Sequence, residues 1–306
     1  MLEAILFSLA GLAGLAIGGE LLVRGAVGIA HKLGVSTLFT GLVIVGFATS
    51  MPEMVASVEA ALRGSPQIAW GNIYGSNLAN TLLILGATAV VMPITLTGAG
   101  RRDAVVALMA TALLVGLAYS QLGAHWIGLA LLGAIIGYIV WRYNNPGAEP
   151  IEEEDEDGQS TWLAIGFFVG GLAILVFGGQ LLVTGAIDLA RIFGVSETAI
   201  GLTVVAIGTS LPELAASAAA ALRGKPGLAV GNVVGSNIYN ILLIGGATMS
   251  IAPFALPEGL LGLQSLLLAG SAIVLLLILW FAKSISRVLG AVLVAAFFAN
   301  TVFVFS

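Results

Sequence analysis

The chain contains no cysteine and only two histidines, His31 and His125. Without thiols there can be no disulfide, thiolate nucleophile, iron–sulfur cluster or zinc–thiolate site. Two histidines exclude a His-rich metal centre. Charge is also scarce. Asp, Glu, Lys and Arg make up 9% of the 306 residues, against about 25% in soluble chains. That composition excludes a soluble globular domain and a disordered chain alike. Only 11 Lys and Arg stand against 16 Asp and Glu, a net charge of -5, which excludes a basic nucleic-acid-binding surface. What is abundant is apolar: 59% of residues are hydrophobic and mean hydropathy is +1.08. The chain reads as an integral membrane protein, and its 41 glycines suit closely packed membrane helices.

A spanning helix needs about 20 mostly apolar residues. Ten stretches fit: 4–23, 37–60, 68–93, 103–121, 124–141, 162–186, 197–220, 228–253, 260–281 and 285–304. One long polar segment, 142–161, carries Pro146, Pro150 and the acidic run from Glu152 to Asp157. It reads as a linker between a first five-helix unit, 1–141, and a second, 162–306. The acidic run lacks the turn glycine and ligand spacing of an EF-hand, so it reads as solvated. No basic n-region precedes the first apolar stretch, so no cleavable signal is expected.

Shifting the chain by 160 residues exposes a repeat. Residues 41–88 and 201–248 share 28 of 48 positions without a gap. The match reaches back to Gly18-Gly19-Glu20-Leu21-Leu22-Val23 against Gly178-Gly179-Gln180-Leu181-Leu182-Val183. Five spans per copy turn the second copy over in the membrane, so the predicted fold is all-α, ten transmembrane helices in two inverted repeats. With the N- and C-termini outside, nine basic residues (Arg24, Lys32, Arg101, Arg102, Arg142, Arg223, Lys225, Lys283 and Arg287) fall inside. Only Arg63 and Arg191 fall outside. This orientation obeys the positive-inside rule and makes the acidic linker cytoplasmic. Trp126, Trp141, Trp162 and Tyr143 lie near span ends, as in an aromatic belt.

Two motifs occur in both copies. Thr49-Ser50-Met51-Pro52-Glu53 and Thr209-Ser210-Leu211-Pro212-Glu213 each lie near the middle of an apolar span. Proline removes an amide and breaks the ladder, freeing carbonyls near Gly46 to Ala48 and near Ala206 to Gly208. At membrane depth those carbonyls must be satisfied by protein, water or an ion. Hydroxyl, carbonyl and carboxylate oxygens together are ligands for a hard cation. A carboxylate at the bilayer centre costs about 2.5–3.5 kcal/mol on insertion scales. No Lys or Arg lies mid-span to neutralise this pair, so it must hold protons or bind cations. Snorkelling to an interface is the alternative, and the mid-span depth of both copies argues against it.

The second motif is Gly71-Asn72-Ile73-Tyr74-Gly75-Ser76-Asn77-Leu78-Ala79-Asn80, matched by Gly231-Asn232-Val233-Val234-Gly235-Ser236-Asn237-Ile238-Tyr239-Asn240. Asn72, Ser76 and Asn80 share a helical face, as do Asn232, Ser236 and Asn240. Ser76, Asn80, Ser236 and Asn240 are candidate ion contacts. The GxxxG glycines read as close-packing positions. Asn77 and Asn237 fall off the stripe and read as bridges to backbone groups.

These doubled motifs resemble the α-repeats of the sodium/calcium exchanger branch of the cation/calcium antiporters, in their prokaryotic form. The resemblance covers nearly the whole chain; Ala48 stands where the pattern usually has Gly. It implies a central cluster of four cation sites. Calcium would bind Glu53 and Glu213 with the Thr49 and Thr209 carbonyls. One sodium site, on the inner side, would use the Gly46 carbonyl with Ser50, Glu53 and Ser76. Another, on the outer side, would use the Ala206 carbonyl with Ser210, Glu213 and Ser236. Asn80 and Asn240 would line the middle. Some relatives carry Asp at the position of Asn240, and potassium-dependent members resemble that pattern; neutral Asn240 argues against potassium co-transport. The activity implied is sodium/calcium antiport, with three sodium ions for one calcium, in a multi-pass protein of a prokaryotic cytoplasmic membrane. Its partners would be calcium, sodium and membrane lipid, without nucleic acid or cofactor, and the expected chain is a monomer.

Three other readings compete. A calcium/proton antiporter would use the same two glutamates, although the four serine hydroxyls favour sodium, because a proton needs no such cage. A channel fits poorly with an inverted repeat and broken helices. An enzyme lacks a histidine base or metal triad beside Thr209, Ser210 or Glu53. Of the remaining polar residues, Glu20 reads as a helix–helix hydrogen-bond acceptor. Glu59 and His31 read as interfacial, and His125 as facing water.

Overall fold

The computed structural model describes residues 1–96, 98, 100–146, 160–194, 208, 210–253 and 255–304. The long helices, in chain order, are α1 (Leu2–Leu33), α2 (Thr37–Thr49), α3 (Met51–Leu62), α4 (Pro66–Val91), α5 (Arg101–Ser120) and α6 (His125–Asn144). They continue as α7 (Thr161–Ile192), α8 (Leu211–Leu222), α9 (Pro226–Ile251), α10 (Leu263–Phe281) and α11 (Arg287–Val304). Seven of these are long and apolar enough to cross a membrane, and the bent pair α2–α3 makes eight among the described residues. Helices α8 and α11 are shorter and apolar. The acidic run and most of the predicted span 197–220 lie outside the described residues.

One expectation changes. The first span of each half is longer than predicted: α1 and α7 each have 32 residues, not the stretches 4–23 and 162–186. The hydrophobic template stops near Arg24, but backbone hydrogen bonding does not depend on hydropathy, and α1 runs on to a left-handed cap at Gly34, φ 63°. At 1.5 Å per residue such a helix is roughly 48 Å long, well beyond the apolar core of about 30 Å. One strand pair of two residues each accompanies the helices of this all-helical fold. Two short strands, β1 (Ile94–Thr95) and β2 (Ser284–Ile285), pair antiparallel and tie the two halves together.

Residues 160 apart adopt matching local structure. Ser50 (φ -81°, ψ 1°) and Ser210 (φ -93°, ψ 7°) both leave the helical range just before a Pro at the start of the next helix. Between α2 and α3 the break bends the chain by 44°. The turns Arg63-Gly64 and Arg223-Gly224 place glycine at φ 71° and 70°, and Pro66 and Pro226 then open α4 and α9, where the missing amide costs nothing.

Helices α4 and α9 form the centre. Trp70, Ile73, Val234, Ile238 and Ile241 belong to the largest buried apolar cluster, to which α5, α6 and α10 contribute. Beside it, α1 and α7 cross at backbone contact. A β-carbon on Gly18 would lie 2.7 Å from the Leu175 nitrogen, and one on Gly171 would lie 2.4 Å from that of Leu22. Small residues allow that approach where apolar burial drives little association. Gly18→Leu should therefore lose about 1–3 kcal/mol of stability through overpacking, read as a lower melting temperature in detergent. Gly116→Ala is the control: no described atom lies within 4 Å of its added carbon, and the change should stay within about 1 kcal/mol.

Candidate functional site

Glu53 and Glu213 lie in the first turns of α3 and α8. Each is 2% exposed, and they lie near enough for direct electrostatic interaction. Each carboxylate faces its own backbone N–H and keeps one oxygen, Oε2, without a hydrogen-bond partner among the described residues. Ser50 Oγ, Ser236 Oγ and Asn240 Oδ1 are buried and unpartnered in the same sense. Ser76, Asn80 and Ser210 are buried as well.

Two asparagines hold this arrangement. Asn232 Nδ2 donates to Ser217 Oγ at 2.9 Å and to the Glu213 carbonyl at 3.2 Å. Asn72 repeats the pattern with Ser57 Oγ at 2.8 Å and the Glu53 carbonyl at 3.3 Å. The face assigned to Asn72 and Asn232 thus anchors the acidic helix in each half. Thr49 Oγ1 lies 3.0 Å from the Val45 carbonyl, 3.2 Å from Asn232 Oδ1 and within reach of the Glu213 carboxylate. One hydroxyl proton faces three acceptors there, so the threonine links the halves with acceptor capacity to spare.

Three π turns, Thr40–Val45, Ala79–Ile84 and Asn240–Ile244, occur around the site. Pattern reading missed them, because a one-residue bulge barely alters apolar periodicity. Such turns concentrate at functional sites. Here the amides of Leu85 and Gly245 reach back to the carbonyls of Asn80 and Asn240. The Gly46 carbonyl accepts from the Ser50 amide at 3.2 Å and keeps a second lone pair. Ala206 and Thr209, the remaining candidate residues, lie outside the described residues.

Some neighbours differ from expectation. Asn237 Nδ2 donates to the Thr81 hydroxyl of the other half at 3.0 Å, not to a backbone group, because tertiary packing brings a polar side chain within reach. Asn77 bonds the Ile73 carbonyl at 2.8 Å. Gly231 and Gly235 abut the Leu38 and Leu42 carbonyls, whereas no described atom would touch a β-carbon on Gly71 or Gly75. Glu20 does more than accept a helix contact. Its two oxygens take Arg223 Nη2 and Nε at 2.8 and 2.9 Å, and Arg24 binds it too. Across the molecule, Gln180 and Thr184 instead border a cavity of about 280 Å³ with Pro52 and Pro212. Glu59 pairs with Arg63 of its own helix at the surface. No cluster of three or more His, Cys, Asp or Glu occurs among the described residues. Two carboxylates amid neutral oxygens suit a hard cation.

The bundle defines an integral, multi-pass, all-helical membrane protein. The sodium/calcium exchanger protein family model matches residues 3–144 and 163–306, and the chain belongs to that family, a family of cation/calcium antiporters. The sodium/calcium exchanger MaX1 of Methanosarcina acetivorans is 30% identical over 342 residues, covering 98% of each chain. The uncharacterized membrane protein MJ0091 of Methanocaldococcus jannaschii is 35% identical over 268 residues, covering 86% of this chain and 87% of its own. A solved structure of the sodium-calcium exchanger NCX_Mj, soaked with zero sodium and calcium, superposes with a TM-score of 0.85 at 30% identity, covering 98% of each chain.

Asn232→Ala would leave the Ser217 hydroxyl and the Glu213 carbonyl each short of a donor. A loss of about 1–3 kcal/mol is expected, read by thermal melting. Asn72→Ala, with two such bonds at a less buried position, should lose less.

Proposed function

We propose that this chain exchanges sodium for calcium across a membrane at a central site containing Glu53 and Glu213, in a frame of ten spans arranged as two inverted repeats. The observation that carries the reading is the pair of buried glutamates, one per half, each with a carboxylate oxygen that, like those of buried Ser50, Ser236 and Asn240, has no hydrogen-bond partner among the described residues. Each unmet buried acceptor costs about 1–3 kcal/mol; a bound cation offsets that cost.

Charge sets the exchange rule. The two carboxylates contribute -2, and one calcium neutralises them. One sodium leaves the pocket negative, so several must enter. Shared ligands make the two loadings exclusive, and a loaded pocket is occluded and re-exposed more readily than an empty one with two bare charges. Calcium takes Glu53, Glu213 and the Thr49 and Thr209 carbonyls. Sodium takes the Gly46 carbonyl with Ser50, Glu53 and Ser76, and the Ala206 carbonyl with Ser210, Glu213 and Ser236, with Asn80 and Asn240 in the middle. With three sodium ions per calcium, one net charge moves per cycle, and 100 mV contributes about 2.3 kcal/mol.

Access alternates as α1 and α7 slide together across the site. The Glu20–Arg223 ion pair keeps the Arg223 side shut, and the cavity beside Gln180 opens the other. Positive-inside bias makes the Arg223 side cytoplasmic and the open side external.

Isotope flux in reconstituted vesicles, with sodium, potassium and proton gradients imposed separately, tests the coupling. Calcium uptake should follow the sodium gradient at fixed pH; uptake driven by protons alone would instead favour the calcium/proton reading. Glu53→Gln and Glu213→Gln are each expected to abolish calcium exchange, and near-normal flux in either would remove the site from this account. Asn240→Asp should retain transport and acquire pH dependence, measured as flux from pH 5 to 9. Cross-linking both α1 and α7 to the central bundle should stop exchange; full activity after verified cross-linking refutes the sliding step.

A further inference from the structure

Tyr239 joins the two halves beside Gly46. Its hydroxyl donates to the Val43 carbonyl at 3.2 Å. Its ring meets Phe47 edge-on, with centroids 5.9 Å apart and planes at 68°. Val43 lies in the π turn Thr40–Val45, and Phe47 in the helical turn that follows. One side chain from α9 therefore grips α2 on both sides of Gly46. The backbones are also pressed together: a β-carbon on Gly46 would lie 3.3 Å from the Ser236 amide nitrogen and 3.4 Å from the Gly235 carbonyl carbon. In a π turn the amides reach to the fifth carbonyl back, so regular pairing is interrupted. A donor from another helix then helps fix where the following carbonyls point.

The repeat does not share this clamp. The residue 160 positions before Tyr239 is Ala79, with neither hydroxyl nor ring, although the Gly-Ser-Asn and final Asn around it are identical in both copies. Tyr239 is itself 1% exposed, so its hydroxyl and ring are committed to this contact rather than to solvent.

We infer that Tyr239 is a positioning residue that aims the Gly46 carbonyl at sodium and makes that monovalent site unlike its repeat-related counterpart. The inference rests on the sodium/calcium exchange proposed above. Gly46 belongs to the sodium set and not to the calcium set, so loosening the clamp acts on sodium first. Ion–carbonyl attraction falls with distance and is strong where the surroundings are apolar, so a small displacement of one carbonyl is felt in sodium affinity.

Tyr239→Phe keeps the ring and removes only the hydroxyl. Calcium flux in vesicles is measured against sodium concentration and, separately, against calcium concentration. The sodium concentration for half-maximal exchange should rise about two- to tenfold, the range one neutral hydrogen bond supports, with a smaller change in half-saturating calcium. Tyr239→Ala, which copies Ala79, should raise it further. Melting temperatures of both variants separate altered affinity from a general loss of stability. An unchanged sodium requirement in Tyr239→Phe, or equal shifts for both ions, overturns the assignment. Wild-type protein without sodium-driven calcium flux overturns the exchange reading itself, and the positioning role with it, before any variant is compared.

Discussion

Two carboxylates deep in an apolar bundle cannot stand alone, because a medium of low polarity does not solvate their charge. The ion pairs among the described residues use Glu20, Glu59, Asp103 and Asp188; none uses Glu53 or Glu213. Neutralisation must come from outside the chain. Much of the unusual local structure lies on the same helices as these two carboxylates or on the helices that follow them. At Ser50 and Ser210 the backbone leaves the helical range just before a proline, and Glu53 and Glu213 follow in the first turn of the next helix. Asn80 and Asn240 lie in π turns and are buried.

Holding such a cluster requires rigidity near it and freedom further out. Asn72 and Asn232 fasten each acidic helix to its neighbour through a serine and a carbonyl, with the same sequence separations in both halves. Fully bonded polar groups of this kind fix one geometry in the interior. Helices α1 and α7 meet one another through glycine at backbone contact, which binds the two as a pair.

The halves resemble each other at the oxygens and differ around them. Glu20 faces Gln180 in the repeat, Arg24 faces Thr184, Glu59 faces Ala219 and Tyr239 faces Ala79. Membrane sides are chemically unequal, and a strictly symmetric protein would favour neither. Glu20 pairs with Arg223, whereas Gln180 and Thr184, the counterparts of Glu20 and Arg24 in the repeat, border a cavity lined by no charged residue among the described residues.

Much of this was readable from the residues alone. Apolar length located the helices, and the 160-residue repeat located two copies of an acid, a serine and an asparagine, because hydropathy and spacing are local properties that survive without coordinates. The long ends of α1 and α7 were not readable, since helical hydrogen bonding continues past the last apolar residue. Nor were the π turns, whose single added residue hides inside an apolar run. The Glu20–Arg223 pair joins residues 203 positions apart, and Tyr239 reaches Val43 across 196. Sequence by itself determined that this chain spans a membrane and that two acids must be neutralised within it. Which helices meet, which asparagine anchors and which tyrosine clamps were decided only in three dimensions, because those contacts depend on side chains brought together by packing and leave no periodic trace along the chain.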